Sequence, residues 1–247
     1  MAERAAIVTG GSSGIGFAIA RMLLEEGYAI TLAARRPEKL EAAVAELSGD
    51  GHEVAQVAGN MASEDTVREV VAAHRERFGR LDMLVNNAGV GIGASVAEIE
   101  TKRLDMQLNV NLRSVVLFYR ECAELLRSAA SEHHNAIVVN TASISGKSGE
   151  AWLSVYSATK AGVVGFTEAM NKELGGEGIK SCALCPAFVD TPMTDFVKQS
   201  VPAENMIKSE DIAEAVRMLL RVSPACVIPE IIFHGPGGMP GGLPVSV

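Results

Sequence analysis

Short apolar runs alternate along the chain with longer stretches whose apolar positions recur every three or four residues. The runs are Ala5–Thr9, Ala29–Ala34, Glu53–Ala58, Leu81–Val85, Ala136–Asn140, Ser181–Cys185 and Val227–Phe233. Their shortness predicts strands, and Ala5–Thr9 and Ser181–Cys185 read as buried ones. Between them Ile15, Ile19, Met22 and Leu23 trace one face of a helix that stops at Gly27. Pro37 suits the first turn of a helix to Leu47, with Leu40, Val44 and Leu47 as its stripe. Ser63 can cap a helix to Phe78, with Glu64 and Asp65 in its first turn. Thr101 starts one long helix through Asn109, Asn111 and Phe118 to about Ala130. A helix carrying Tyr156 and Lys160 runs to about Leu174, and Ser209 and Asp211 open another through Met218 and Leu220. Strands alternating with helices predict an α/β fold with one parallel sheet and right-handed crossovers. No linker, composition break or short repeat interrupts the pattern, so 1–247 reads as a single domain, with a flexible Gly/Pro-rich tail over about 235–247.

Composition narrows the partners. The chain has 247 residues and is 48% hydrophobic, enough for a large core. A net charge of -8 and the lack of a basic stripe argue against nucleic acid. No apolar run approaches the ~20 residues of a membrane span, and the first residues lack a signal-peptide layout. The expected location is the cytoplasm. Four cysteines are then expected to be reduced and mostly buried. Cys182 and Cys185 have metal-pair spacing but no second pair, and His133-His134 lies in a polar stretch, so no metal site is expected.

Three places carry candidate chemistry. Gly10-Gly-Ser12-Ser13-Gly14-Ile15-Gly16 joins the first strand to the first helix. Glycines there let the backbone approach a pyrophosphate, and the helix N-terminus offers unpaired N–H groups. At the end of the second strand, Arg35 and Arg36 stand where an acidic residue would bind a ribose 2′-hydroxyl. Two cations and no carboxylate suit a 2′-phosphate, so NADP(H) is favoured over NAD(H). Tyr156 and Lys160, four apart on a helix, share a face. An ammonium there is expected to lower the phenol pKa from about 10, so that the tyrosine can exchange a proton with a carbonyl or alcohol oxygen.

Together these motifs resemble those of the short-chain dehydrogenase/reductases, and the likeness spans nearly the whole chain. Thr9-Gly10-x3-Gly14-Ile15-Gly16 looks like the family's coenzyme turn, and Asn86-Asn87-Ala88-Gly89 like the motif bordering the adenosine ribose. Asn111 falls at the family's catalytic asparagine, and Ser143 lies 13 residues before Tyr156, the family interval. Pro186 to Thr191 resembles the loop that holds the nicotinamide and pyrophosphate. The resemblance implies a doubly wound Rossmann fold with seven parallel strands in the order 3-2-1-4-5-6-7. It implies Asn111, Ser143, Tyr156 and Lys160 as catalytic residues. It also implies cofactor contacts from Gly10, Ser12, Ser13, Gly14, Ile15, Gly16, Arg35, Arg36, Asn60, Met61, Asn87, Ala88, Gly89, Tyr156, Lys160, Pro186, Val189 and Thr191. Three positions depart from the pattern. Ala187 replaces a usual glycine, Asn60 stands where an acid commonly meets the adenine, and Ser13 is often basic in NADP-preferring members.

The function so implied is hydride transfer between NADP(H) and a carbonyl or alcohol, above all reduction of a ketone of the 3-oxoacyl thioester type or a related small carbonyl. Oxidation of a secondary alcohol is the alternative, and a non-catalytic NADP-binding regulatory protein is the rival class. Substrate choice is expected to rest on Val90–Val96, Gly146–Leu153, with Trp152 helping to wall the cleft, and Thr194–Met206. Lys147, Lys198 and Lys208 would contribute to a basic patch if an acyl carrier protein docks at the entrance. A homotetramer is expected, with Ala158, Ala161, Gly162 and Gly165 allowing close helix packing.

Overall fold

The computed structural model describes residues 3–133, 135–199 and 201–235. Seven strands form one all-parallel sheet: β1 Arg4–Thr9, β2 Tyr28–Ala34, β3 Val54–Ala58, β4 Met83–Asn86, β5 Ala136–Thr141, β6 Ile179–Pro186 and β7 Glu230–Phe233. Their spatial order is β3-β2-β1-β4-β5-β6-β7, as the family resemblance implied. The sheet is a doubly wound Rossmann fold. Parallel neighbours need crossover connections, and these are α1 Gly14–Glu25, α2 Pro37–Leu47, α3 Glu64–Phe78, α4 Thr101–Leu108, α5 Ser114–His133, α6 Ser154–Leu174 and α7 Ser209–Arg221.

The helices divide between the two faces. Side chains of α3, α5 and α6 form one apolar cluster with the sheet, and those of α1, α2 and α7 form the other. This is why every residue of β2 and β6 is buried and neither strand alternates. The caps act as the sequence indicates: Ser63 Oγ accepts from Thr66 N at 3.5 Å, and Gly79 ends α3 in the left-handed conformation.

Two elements depart from the sequence pattern. The helix expected over Thr101 to Ala130 is interrupted by a π turn at Asn109–Arg113, where the Ser114 N–H reaches back to Asn109 O. Such a turn adds a residue to the repeat, which apolar periodicity does not register. The last strand begins at Glu230 rather than Val227, because Cys226 closes a turn onto Ser223 first. The glycine- and proline-rich tail beyond Gly235, and His134, lie outside the described residues.

Polar groups inside the sheet are paired. Asn86 Nδ2 donates to Asn140 Oδ1 at 2.9 Å, and Asn140 Nδ2 donates to Thr167 Oγ1 at 2.9 Å. This chain fastens β4 to β5 and β5 to α6, beneath the edge where the candidate site lies. Cys182 and Cys185 are buried, and burial raises their thiols to about 12 and about 11. Among the described residues no group of three His, Cys, Asp or Glu side chains is placed to hold a metal. No described helix is long and apolar enough to cross a membrane.

Candidate active site

In a parallel sheet all strands end on one edge, and the singled-out residues gather there. Thr9 ends β1, Asn86 ends β4, Thr141 ends β5 and Pro186 ends β6. Thr9 Oγ1 accepts from the N–H groups of Asn87 and Ala88 at 2.9 and 3.0 Å. Asn87 Nδ2 donates to Thr9 O and Gly10 O, and its Oδ1 accepts from Thr141 Oγ1 at 3.2 Å. Three strand ends are thus stitched together by one amide.

The turn after β1 is shaped by contacts that a side chain would destroy. Gly10 and Gly14 have φ of 66° and 56°, in the left-handed region. A Cβ at Gly16 would lie 2.5 Å from both Asn87 Nδ2 and Gly10 O. A Cβ at Gly14 would meet Thr191 Cγ2 at 2.9 Å, so the loop after β6 closes on this turn. Ser13, the N-cap of α1, is exposed and makes no capping bond, and Ser12 is half-buried beside it. Ile15 turns inward and packs on the α1–α2–α7 cluster. The turn therefore presents backbone and small side chains outward from a helix N-terminus, a form that fits a pyrophosphate.

Arg35 and Arg36 follow β2 and are exposed. Among the described residues neither guanidinium forms an ion pair. The arginines paired elsewhere on the surface, such as Arg21 with Glu46 and Arg75 with Glu124, set the contrast. Asn60 is exposed, and its Oδ1 already accepts from Ala62 N at 3.1 Å. Met61 is 4% exposed and its side chain belongs to the core, so only its backbone faces the edge. Val189 is likewise buried and pairs in parallel with Ile207.

Ser143, Tyr156 and Lys160 converge beyond β5. Ser143 caps a short 3-10 turn through Ser145 N at 3.2 Å. Lys160 Nζ donates to Thr141 O at 2.6 Å and lies 5.7 Å from the centre of the Tyr156 ring. Burial pulls the Lys160 pKa down to about 8, against a small opposing pull from Cys185. The Tyr156 phenol departs from the sequence expectation. Its pKa is raised above 10, chiefly because burial penalises the phenolate, with the Ser143 hydroxyl pulling it back. The ammonium faces a carbonyl and the ring rather than displacing that balance, so Tyr156 holds its proton at neutral pH.

Asn111 lies in the π turn, and both ends of its side-chain amide are hydrogen-bonded. Oδ1 accepts from Val90 N and Nδ2 donates to Val90 O, both at 2.8 Å, with Thr159 Oγ1 at 3.2 Å from Nδ2. It stays next to the lysine: a Cβ built on Gly89 would be 3.4 Å from Asn111 Oδ1 and 3.6 Å from Lys160 Nζ. Two participants went unnoticed in the sequence. Thr141 anchors both Asn87 and Lys160, and Gln107, fully buried in α4, accepts from Ile92 N at 3.2 Å. The position of Thr141 at a strand end was a signal for the first. A polar residue one turn before Asn111 was the only signal for the second.

The three lysines of the expected basic patch are each paired with an acid. Lys147 meets Glu230 at 2.8 Å, Lys198 meets Asp195 at 2.7 Å and Asp190 at 3.0 Å, and Lys208 meets Asp190 at 3.2 Å. They tie loops together at the rim and form no field of unpaired cations.

A Rossmann sheet with a glycine cradle on one side of its edge and a serine, tyrosine and lysine on the other defines a nicotinamide-dependent oxidoreductase. Residues 4–202 match the short chain dehydrogenase family, and the chain belongs to it. It is 38% identical over 215 residues to the granaticin polyketide synthase putative ketoacyl reductase 1 of Streptomyces violaceoruber, covering 87% of this chain and 78% of that protein. Among solved structures it is similar to actinorhodin polyketide ketoreductase with NADPH, at a TM-score of 0.86 and 32% identity, over 94% of this chain and 97% of the other. It is also similar to the 3-ketoacyl-(acyl-carrier-protein) reductase of Brucella melitensis complexed with NADH, at 0.85 and 28%, over 94% and 96%.

Proposed function

We propose that the protein reduces a ketone with NADPH, the substrate being a 3-oxoacyl thioester or a small carbonyl of related shape. The observation that carries this is the meeting of Ser143, Tyr156 and a buried Lys160 at one strand end. The names of the ketoacyl reductases to which the chain is similar support the substrate class. A nicotinamide dinucleotide held along the cradle supplies the hydride. The glycine turn, the backbone at Asn60 to Met61, the Asn87–Gly89 segment and the loop from Pro186 through Val189 to Thr191 would hold it. Arg35 and Arg36 would take a 2′-phosphate.

Ser143 donates a hydrogen bond to the substrate oxygen and orients it. Tyr156, which retains its proton, donates that proton to the same oxygen as it gains negative charge. Lys160 places a cation beside the ring and stabilises the phenolate left behind. Asn111 holds Val90, the neighbour of the Gly91 that faces the Tyr156 ring, and lies beside Lys160, where a bound water would be needed to link the lysine to solvent. Two arginines suited to NADPH, a hydride donor, favour reduction over alcohol oxidation. Pairing of Lys147, Lys198 and Lys208 with acids favours a freely diffusing substrate over carrier docking at those three residues.

A homotetramer is part of this reading. Leu108 and Val116 are exposed on α4 and α5, and Ala158, Ala161 and Gly165 on α6. Gly162 is occupied within the chain, since a Cβ there would be 3.0 Å from Leu112 Cδ2. Light scattering should give four chains; a monomer rejects this part. Loss of NADPH absorbance against a panel of simple ketones and acetoacetyl thioesters tests the function. Turnover of one or more is expected, whereas NADPH binding without turnover across the panel would assign a non-catalytic role.

A further inference from the structure

The segment from Val90 to Gly93 is held from two sides in alternation. Its even residues are bound by amides, Val90 by Asn111 and Ile92 by Gln107. Its odd residues are glycines that face aromatic rings. A Cβ on Gly91 would be 3.9 Å from Tyr156 Cε2, and one on Gly93 would be 2.2 Å from Trp152 Cε3 and Cζ3. Trp152 is fixed in turn by its own backbone, whose carbonyl accepts from Ala94 N at 2.8 Å. It is the sole non-glycine residue with positive φ among the described residues, at 66°, and it remains 43% exposed. A bulky residue held in this conformation, with its ring seated where only glycine fits, marks a constrained position.

We propose that Trp152, seated on Gly93, is a specificity-determining wall of the cleft beside Tyr156, limiting the bulk of the substituent a ketone can carry on that side. The proposal rests on the reading that Tyr156 serves a ketone-binding cleft. The two rings occupy successive seats along one segment, so a substrate oxygen at Tyr156 brings its neighbouring carbon substituent toward the indole. The partly exposed ring leaves room for a small group and closes against a fused ring.

The test compares kcat/KM for 2-tetralone and for ethyl acetoacetate with NADPH. Trp152→Ala is expected to raise the bulky-to-small ratio by about tenfold, the scale on which an apolar wall discriminates. Gly93→Ala denies the indole its seat and should move the ratio in the same direction. Because Trp152 is the only tryptophan, acrylamide quenching of its fluorescence should also increase in Gly93→Ala. An unchanged ratio in variants that melt like the wild type overturns the proposal while leaving ketone reduction standing. A wild-type enzyme that turns over neither ketone counts against ketone reduction itself. The seat is then judged by fluorescence, and equal quenching in wild type and Gly93→Ala overturns it. If Trp152→Ala fails to fold, Gly93→Ala carries both readouts.

Discussion

The cofactor side and the substrate side of the sheet edge are built by different means. On the cofactor side the backbone itself is the device: Gly10, Gly14 and Gly16 are set by contacts with Asn87, Thr191 and each other that leave no space for a side chain. On the substrate side the side chains act, held by hydrogen bonds from α4 and α6 and by a strained tryptophan. On the proposed function, the first design would hold the dinucleotide and the second would choose the substrate.

The sharpest way to break this contrast is at Lys160, which stands between the two sides. Lys160→Met should lower kcat/KM for ketone reduction by about 10²–10⁴-fold, the usual worth of a positioned proton-transfer group. In the wild type, burial lowers the Lys160 pKa to about 8. The cation is present below that pH and lost above it, so kcat/KM should fall as pH rises through about 8, and the Lys160→Met profile should lack that limb. A flat wild-type profile from neutrality to above pH 9 would remove Lys160 from the proton path.

On the cofactor side, Gly16→Ala forces a Cβ against Asn87 and the Gly10 carbonyl. Overpacking against backbone costs roughly 1–3 kcal/mol, so the NADPH Kd should rise by about tenfold to a hundredfold, with fluorescence of Trp152 unchanged. A normal Kd would mean that the cradle has slack. The smallest expected effect is at the two exposed arginines. Arg35→Ser with Arg36→Ser should lower kcat/KM with NADPH by about tenfold, the worth of a charge-assisted contact, and leave NADH nearly unaffected. Equal losses with both cofactors would show that the arginines do not read the 2′-phosphate.

The same contrast explains what the sequence made legible. Strands buried on both faces are continuous apolar runs, so β1, β2, β4, β5 and β6 stood out, while the edge strand β3 is only partly buried; the glycine turn announced itself because no other residue fits there. Tyr156 and Lys160 were legible through helical spacing. Their electrostatics were not, since the raised phenol comes from burial that spacing does not encode. The π turn was hidden because it changes a backbone repeat without changing side-chain character. Gln107 and Thr141 act through contacts with segments distant in sequence, and neither residue type signals such a role by itself. The pairing of Lys147 with Glu230, 83 residues away, removed a basic patch that the sequence appeared to offer.

Everything proposed for the substrate side turns on Tyr156 as the acid of a ketone reductase. The direct measurement is NADPH-dependent turnover and NADPH binding in Tyr156→Phe, which keeps the ring against Gly91 and removes only the hydroxyl. A kcat loss of about 10²–10⁴-fold or more is expected, with an NADPH Kd close to wild type. Turnover near the wild-type rate in a variant that binds NADPH normally would contradict it.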